Sequence, residues 1–258
     1  MMETLPAIVL SCDRYHALAR HMIAQYDAVW PSHLFIFHVP YQADMVLGAR
    51  VSPRRTPASI RGTVLALIEE FDDESWIYWC IDDRYPLRLV QPEVAAIAES
   101  VLSDALPDVS GVMFCRWGKM WQAQNLIASG TRRTPDGLTL LRRKDYSQIW
   151  LHQFLRIKVL RHLFERLPED VAQAIALDPL KHRVPLPDDH RLYVVERNLA
   201  VFGESTSRGR VTRNCAASLR ALGMGFPTGF EETDEVITMG VLDDDASAPT
   251  LSEIKPPK

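Results

Sequence analysis

The chain has 258 residues, 47% hydrophobic and 24% charged, with 12 glycines and 17 prolines, which excludes a collagen-like or wholly disordered polymer and allows one large core. Its 29 Lys and Arg stand against 33 Asp and Glu, and the resulting charge of −4 offers no global attraction to nucleic acid or to an anionic membrane. No apolar run approaches the roughly 18–20 residues of a membrane span, and Leu5 to Leu10 is too short for a signal-peptide core, so a cytoplasmic protein without a transmembrane segment is expected.

Ala7-Ile8-Val9-Leu10 reads as a buried strand, and Tyr15, Leu18, Ala19, Met22, Ile23 and Tyr26 recur at helical spacing behind it, with Ser11 or Asp13 placed to cap the helix. After the Trp30-Pro31-Ser32 break, Leu34-Phe35-Ile36-Phe37 reads as a second strand, which makes a parallel unit. The two prolines in Val51 to Pro57 predict a loop. Ile60, Val64, Leu67, Ile68 and Phe71 mark the next helix, and Trp76-Ile77-Tyr78-Trp79-Cys80-Ile81 is the most hydrophobic strand candidate, running straight into Asp82-Asp83-Arg84-Tyr85-Pro86.

Val94, Ile97, Ala98, Val101 and Leu102 form another helix face before a strand at Val112-Met113-Phe114-Cys115. Thr134-Pro135-Asp136-Gly137 predicts a hairpin turn, about Trp150 to Leu167 a long amphipathic helix, and Leu192 to Val195 with Leu199 to Phe202 a further strand pair. Val211 to Leu222 reads as the last helix, and the acidic, then Pro/Ser/Lys-rich residues 243–258 as a disordered tail. Strands alternating with helices imply an α/β protein with a mostly parallel central sheet flanked by helices. Cys12, Cys80, Cys115 and Cys215 lie far apart with no CxxC pair, as buried thiols of a reducing compartment would, and the histidines show no paired metal spacing.

Asp82-Asp83 is the strongest chemical signal, because ligands of open α/β sheets bind outside the carboxyl ends of strands and hard cations take carboxylate oxygens. The same pair also suits a solvated turn. The order of strand, Ser11-Cys12-Asp13-Arg14-Tyr15, helix, Trp30-Pro31, strand, helix, and the Trp76 to Asp83 segment resembles bacterial glycosyltransferases of the GT-A fold, especially small cytoplasmic ones of surface-polysaccharide assembly. Asp145-Tyr146-Ser147-Gln148-Ile149-Trp150 resembles the segment that leads such proteins into their acceptor-side helix, and the likeness covers about residues 5 to 165.

This resemblance implies a GT-A-like, Rossmann-like domain over residues 1–242, with a donor-binding part to about 120, an acceptor-side part beyond it, and the tail at 243–258. It implies transfer of a sugar from a nucleotide-sugar donor to a glycan, lipid-linked glycan or other hydroxyl acceptor. Asp82 and Asp83 would then hold a divalent cation, Mn or Mg, on the donor diphosphate. Arg84, where the family places an aromatic, departs from the motif and offers a charge of its own to that diphosphate.

Ser11, Asp13 and Arg14 fall where the nucleotide would be gripped, Asp13 as acceptor from uracil or ribose or simply as a helix cap. Arg54, Arg55 and Arg61 suit phosphate contacts or solvated positions alike. Arg208, Arg210 and Arg213 flank a loop that would close over the diphosphate or lie free in water. Glu165, Glu169 and Asp170, at the end of the long helix, are the carboxylates available as catalytic base, Glu169 and Asp170 foremost. Trp117 and Trp121 suit either a sugar-stacking wall or core packing. Two other readings share the architecture: a non-catalytic nucleotide-sugar or carbohydrate-binding module, and a sugar-phosphate nucleotidylyltransferase, to whose glycine-rich signature Gly130-Thr131-Arg132 is faintly similar but in the wrong place.

Overall fold

The computed structural model describes residues 4–116, 127–171 and 173–242. Trp117, Trp121 and the segment 243–258 lie outside the described residues. The strands are β1 Leu5–Leu10, β2 Phe35–Tyr41, β3 Val51–Arg55, β4 Trp76–Ile81, β5 Arg84–Leu89, β6 Gly111–Met113, β7 Ile127–Arg133, β8 Thr139–Arg143, β9 Gln153–Arg156, β10 Leu192–Val195, β11 Ala200–Glu204, β12 Thr206–Ser207, β13 Arg210–Thr212, β14 Glu232–Thr233 and β15 Thr238–Met239. The helices are α1 His16–Val29, α2 Ile60–Ile68, α3 Gln91–Leu102, α4 Ile157–Arg166, α5 Ala174–Leu177 and α6 Arg213–Ala221.

The protein is α/β, with a nine-stranded sheet in the order β3-β2-β1-β4-β9-β6-β10-β8-β7. Seven of these strands run one way and β9 and β8 the other, so the sheet is mostly parallel. Period-2 alternation explains why β1 and β4 are apolar throughout. Leu5, Ala7 and Val9 with Trp76, Tyr78 and Cys80 enter the core that α1 and α3 cover, while Ile8 and Leu10 with Ile77, Trp79 and Ile81 enter the core under α2 and α4. A strand covered on both faces has no polar side to show.

Three segments depart from expectation. Val51–Arg55 is a strand and not a loop: β3 is the sheet's edge, where Pro53, opposite Val39, is tolerated because only one side of the strand must pair. The predicted long helix from Trp150 is β9 followed by α4. Gln153–Arg156, all buried, fill an antiparallel slot between β4 and β6, a demand from distant strands that local periodicity does not express. Leu192–Val195 and Ala200–Glu204 are not a pair: β10 lies between β6 and β8, whereas β11 joins β5 and β15 in a second sheet. Asn198 breaks the chain between them, accepting from the Arg116 amide at 2.7 Å and donating to Val241 O at 3.1 Å. The hairpin of β7 and β8 forms as predicted, with Gly137 at φ 87° in its turn.

Candidate functional site

From β1 the chain winds to β2 and β3 on one side, then returns to place β4 on the other side of β1. The winding reverses between β1 and β4, and the crevice at their carboxyl ends is where open α/β sheets take ligands. Ser11 and Asp82 are the first residues beyond those two ends, and the Asp82 amide donates to Leu10 O at 3.2 Å. The acidic pair and the Ser11–Asp13 segment thus meet at one crevice.

Asp82 is half-buried. Burial pushes its carboxyl well above the usual range, the neighbouring Asp83 pushes the same way, and a hydrogen bond from Ser11 and the charge of Arg84 only partly oppose them. Asp83 presents Oδ2 to Arg84 Nη1 at 2.9 Å, while its Oδ1 is shielded from water and has no hydrogen-bond partner among the described residues. Arg84 Nη1 also meets Glu204 Oε1 at 3.0 Å, because β5 and β11 pair antiparallel with Arg84 opposite Glu204. Burial raises the Glu204 carboxyl, and the Arg84 charge works against that rise. Three carboxyl groups and one guanidinium thus meet at this crevice.

Beneath it, the fully buried His152 ties the end of β4 to the core. Its Nε2 lies 3.1 Å from Ile81 N and 3.0 Å from Ile81 O, and its Nδ1 lies 2.7 Å from the Tyr26 hydroxyl, itself 2.7 Å from that of Tyr78. Burial drives His152 down to about 3, so the ring is neutral at physiological pH.

Asp13 is neither free nor a helix cap. It begins a short 3-10 turn, and its carboxylate accepts the amides of Gln42 at 2.8 Å, Ala43 at 2.7 Å and Asp44 at 3.2 Å, which secures the loop after β2. Gln42 donates onward to Thr56 at 3.1 Å, linking the ends of β1, β2 and β3. Arg14 is exposed, with its guanidinium carbon 5.4 Å from the centre of the Phe230 ring, which meets Tyr15 edge-on at 5.4 Å.

The remaining expected residues are spread more widely. Because β9 runs against β4, α4 starts at the sheet's amino-terminal edge and its ten residues carry the chain about 15 Å back toward the carboxyl edge. There Val171 O accepts from Ile60 N, Arg61 lies 3.9 Å from Glu169, and Glu169 and Asp170 stand exposed. The segment expected to be a loop around Arg208 is instead a β12–β13 hairpin. Arg208 and Gly209, at φ 50° and 77°, form its two-residue turn and hold Arg208 in water at the tip. Arg210 points to Glu231 at 3.5 Å and lines an open hollow of about 490 Å³ with Glu232, Thr233, Asp234 and Glu235, a setting too acidic to favour a diphosphate. Glu204, His152 and Gln42 escaped the sequence reading, because each enters the site through a partner far away in the chain.

The fold and site therefore define an α/β protein with an acidic crevice at the reversal of its parallel sheet. No protein-family model matches the chain, and neither does any curated protein. Among solved structures it is similar to the galactosyltransferase LgtC in complex with donor and acceptor sugar analogues, at 13% identity over 84% of this chain and 79% of that one, with a TM-score of 0.40. An active-site mutant of LgtC gives 12% identity over 86% and 85%, TM-score 0.40. A glycosyltransferase involved in glycosylation of the major capsid of PBCV-1 gives 10% over 74% and 81%, TM-score 0.31.

Proposed function

We propose that this chain is a GT-A-like glycosyltransferase that moves a sugar from a nucleotide-sugar donor to a hydroxyl acceptor such as a glycan or lipid-linked glycan. One observation carries the reading: the acidic pair Asp82-Asp83 and the Ser11–Asp13 segment converge on the crevice where the sheet's winding reverses. Ser11 and the loop that Asp13 secures would bound the nucleotide, with Arg14 at the rim.

The residues at the crevice fit a hard divalent cation such as Mn or Mg. Asp83 keeps one oxygen without a hydrogen-bond partner, and the carboxylates outnumber the one guanidinium among them. Among the described residues no group of three or more His, Cys, Asp or Glu is placed to hold a metal ion, so Asp82 and Asp83 would share the ion with donor oxygens and water, as magnesium sites commonly do. When bound, such an ion supplies positive charge to the diphosphate leaving group. Arg84 keeps Asp83 oriented toward that position. Glu169 and Asp170, at the same edge of the sheet, are the carboxylates we assign to the acceptor side, to draw the proton from the attacking hydroxyl.

Calorimetry with UDP and GDP, followed by a turnover screen of nucleotide sugars with manganese, tests the proposal. Binding and turnover that Asp83→Asn lowers by orders of magnitude, in a protein that still melts cooperatively, would support it. Glu169→Gln and Asp170→Asn should reduce turnover and spare donor affinity. Because Arg84 already occupies Asp83, a non-catalytic nucleotide-sugar-binding protein is the second reading, and tight binding without turnover of any donor would favour it. No helix among the described residues is long and apolar enough to cross a membrane. We place the activity in the cytoplasm, where nucleotide sugars would be within reach.

A further inference from the structure

The Arg84 guanidinium is shared between two carboxylates from different strands. Nη1 stands 2.9 Å from Asp83 Oδ2 and 3.0 Å from Glu204 Oε1, and it also donates to Asp83 O at 3.2 Å. The β5–β11 ladder sets Glu204 directly opposite Arg84, and the Ser205 amide donates to Asp83 O at 2.7 Å, so the backbone of β11 is locked to the acidic turn. The Arg84 side chain is only 15% exposed and that of Glu204 22%, which keeps the pair from dissolving into solvent screening as a surface ion pair would.

From this geometry we infer that the Arg84–Glu204 pair is a resident counter-charge that sets how strongly the Asp82–Asp83 crevice takes a divalent cation and how well it takes a diphosphate without one. This rests on the donor-site reading above. Arg84 neutralises part of Asp83 and so lowers its attraction for a cation. Glu204 shares the Arg84 charge with Asp83 and so leaves less of it for Asp83 or for a phosphate, which makes it act in the opposite sense. Both set the charge beside Asp83, and their removal should shift ligand affinity in opposite directions. A purely structural role would weaken everything together.

Isothermal calorimetry would measure Mn2+ binding with and without saturating UDP, and UDP binding in EDTA, for the full-length protein and its variants. Arg84→Gln should tighten Mn2+ about tenfold and weaken metal-free UDP by a similar factor, a discounted effect for one unit charge within a few ångströms of a half-exposed ion. Glu204→Gln should do the reverse. Arg84→Lys, which keeps the charge, should stay within about threefold of wild type, and with Glu204→Gln it carries the test if Arg84→Gln does not fold.

Shifts of the same sign in both variants, or affinities unchanged within about twofold, would overturn the inference. If the wild type binds neither UDP nor GDP while Mn2+ alone still shows opposed shifts, the transferase reading fails and the counter-charge stands. If nucleotide binds and the opposed shifts are absent, the counter-charge fails and the transferase reading survives. Absence of both Mn2+ and nucleotide binding removes both.

Discussion

Replacing Gly203 by alanine is a sharp test of how the second sheet supports the acidic turn. Gly203 sits opposite Tyr85 in the β5–β11 ladder, and a Cβ there would stand 2.3 Å from Tyr85 Cζ and 2.5 Å from its hydroxyl oxygen. The ring has nowhere to go: it is fully buried, lies 4.6 Å from the His21 ring, and its hydroxyl accepts from Asn214 Nδ2 at 2.8 Å. Overpacking of this kind costs about 1–3 kcal/mol, and displacing the hydroxyl from Asn214 costs about 1 kcal/mol more. Alanine recovers roughly 0.5–1 kcal/mol of strand propensity, which leaves about 1–3.5 kcal/mol of destabilisation. For a domain of this size, that lowers Tm by about 2–14 °C. Thermal and urea melts of Gly203→Ala, Tyr85→Leu and the double variant would measure it. The cost of Gly203→Ala should shrink by more than about 1 kcal/mol once the ring is gone. A Gly203→Ala protein that melts within about 2 °C of wild type, or an equal cost in both backgrounds, would refute the argument.

Acidification should unfold the protein well before its carboxylates are fully protonated. Burial lowers His152 to about 3 and His21 and His38 to about 4, against 6.5 unfolded, so their neutral forms contribute stability that is present above about 6.5 and lost as pH falls toward 4; urea midpoints between pH 7.5 and 4.5 should fall, less steeply in His38→Gln. Asp82 has the opposite sign: its folded carboxyl is raised above 3.8, so its contribution declines as pH rises through that range, and Asp82→Asn should raise Tm at pH 7 while reducing donor binding. Asp13→Ala should cost about 1–3 kcal/mol and speed amide exchange at Gln42, Ala43 and Asp44, read by hydrogen–deuterium exchange; unchanged exchange there would show that the carboxylate does not hold the loop.

The sequence alone determined the alternation of elements and the strand end that carries the acidic pair. Each rests on a pattern local to a few residues: the continuous apolar run Trp76 to Ile81, the helical spacing of Leu18, Met22 and Tyr26, and the turn at Thr134–Gly137. What surrounds that acidic pair was decided by tertiary structure. Arg84 reads in sequence as a free charge beside two aspartates, and only the pairing of β5 with β11 brings Glu204 to it across 120 positions of chain. His152 sits in what periodicity predicts to be a helix, and it reaches Ile81 because β9 is drawn into the gap between β4 and β6. Asp13 resembles a cap until the loop after β2 folds back onto it. Local spacing encodes which face of an element is apolar, whereas ion pairs and strand neighbours depend on contacts between distant segments, whose loop-closure entropy is met only when the whole sheet assembles.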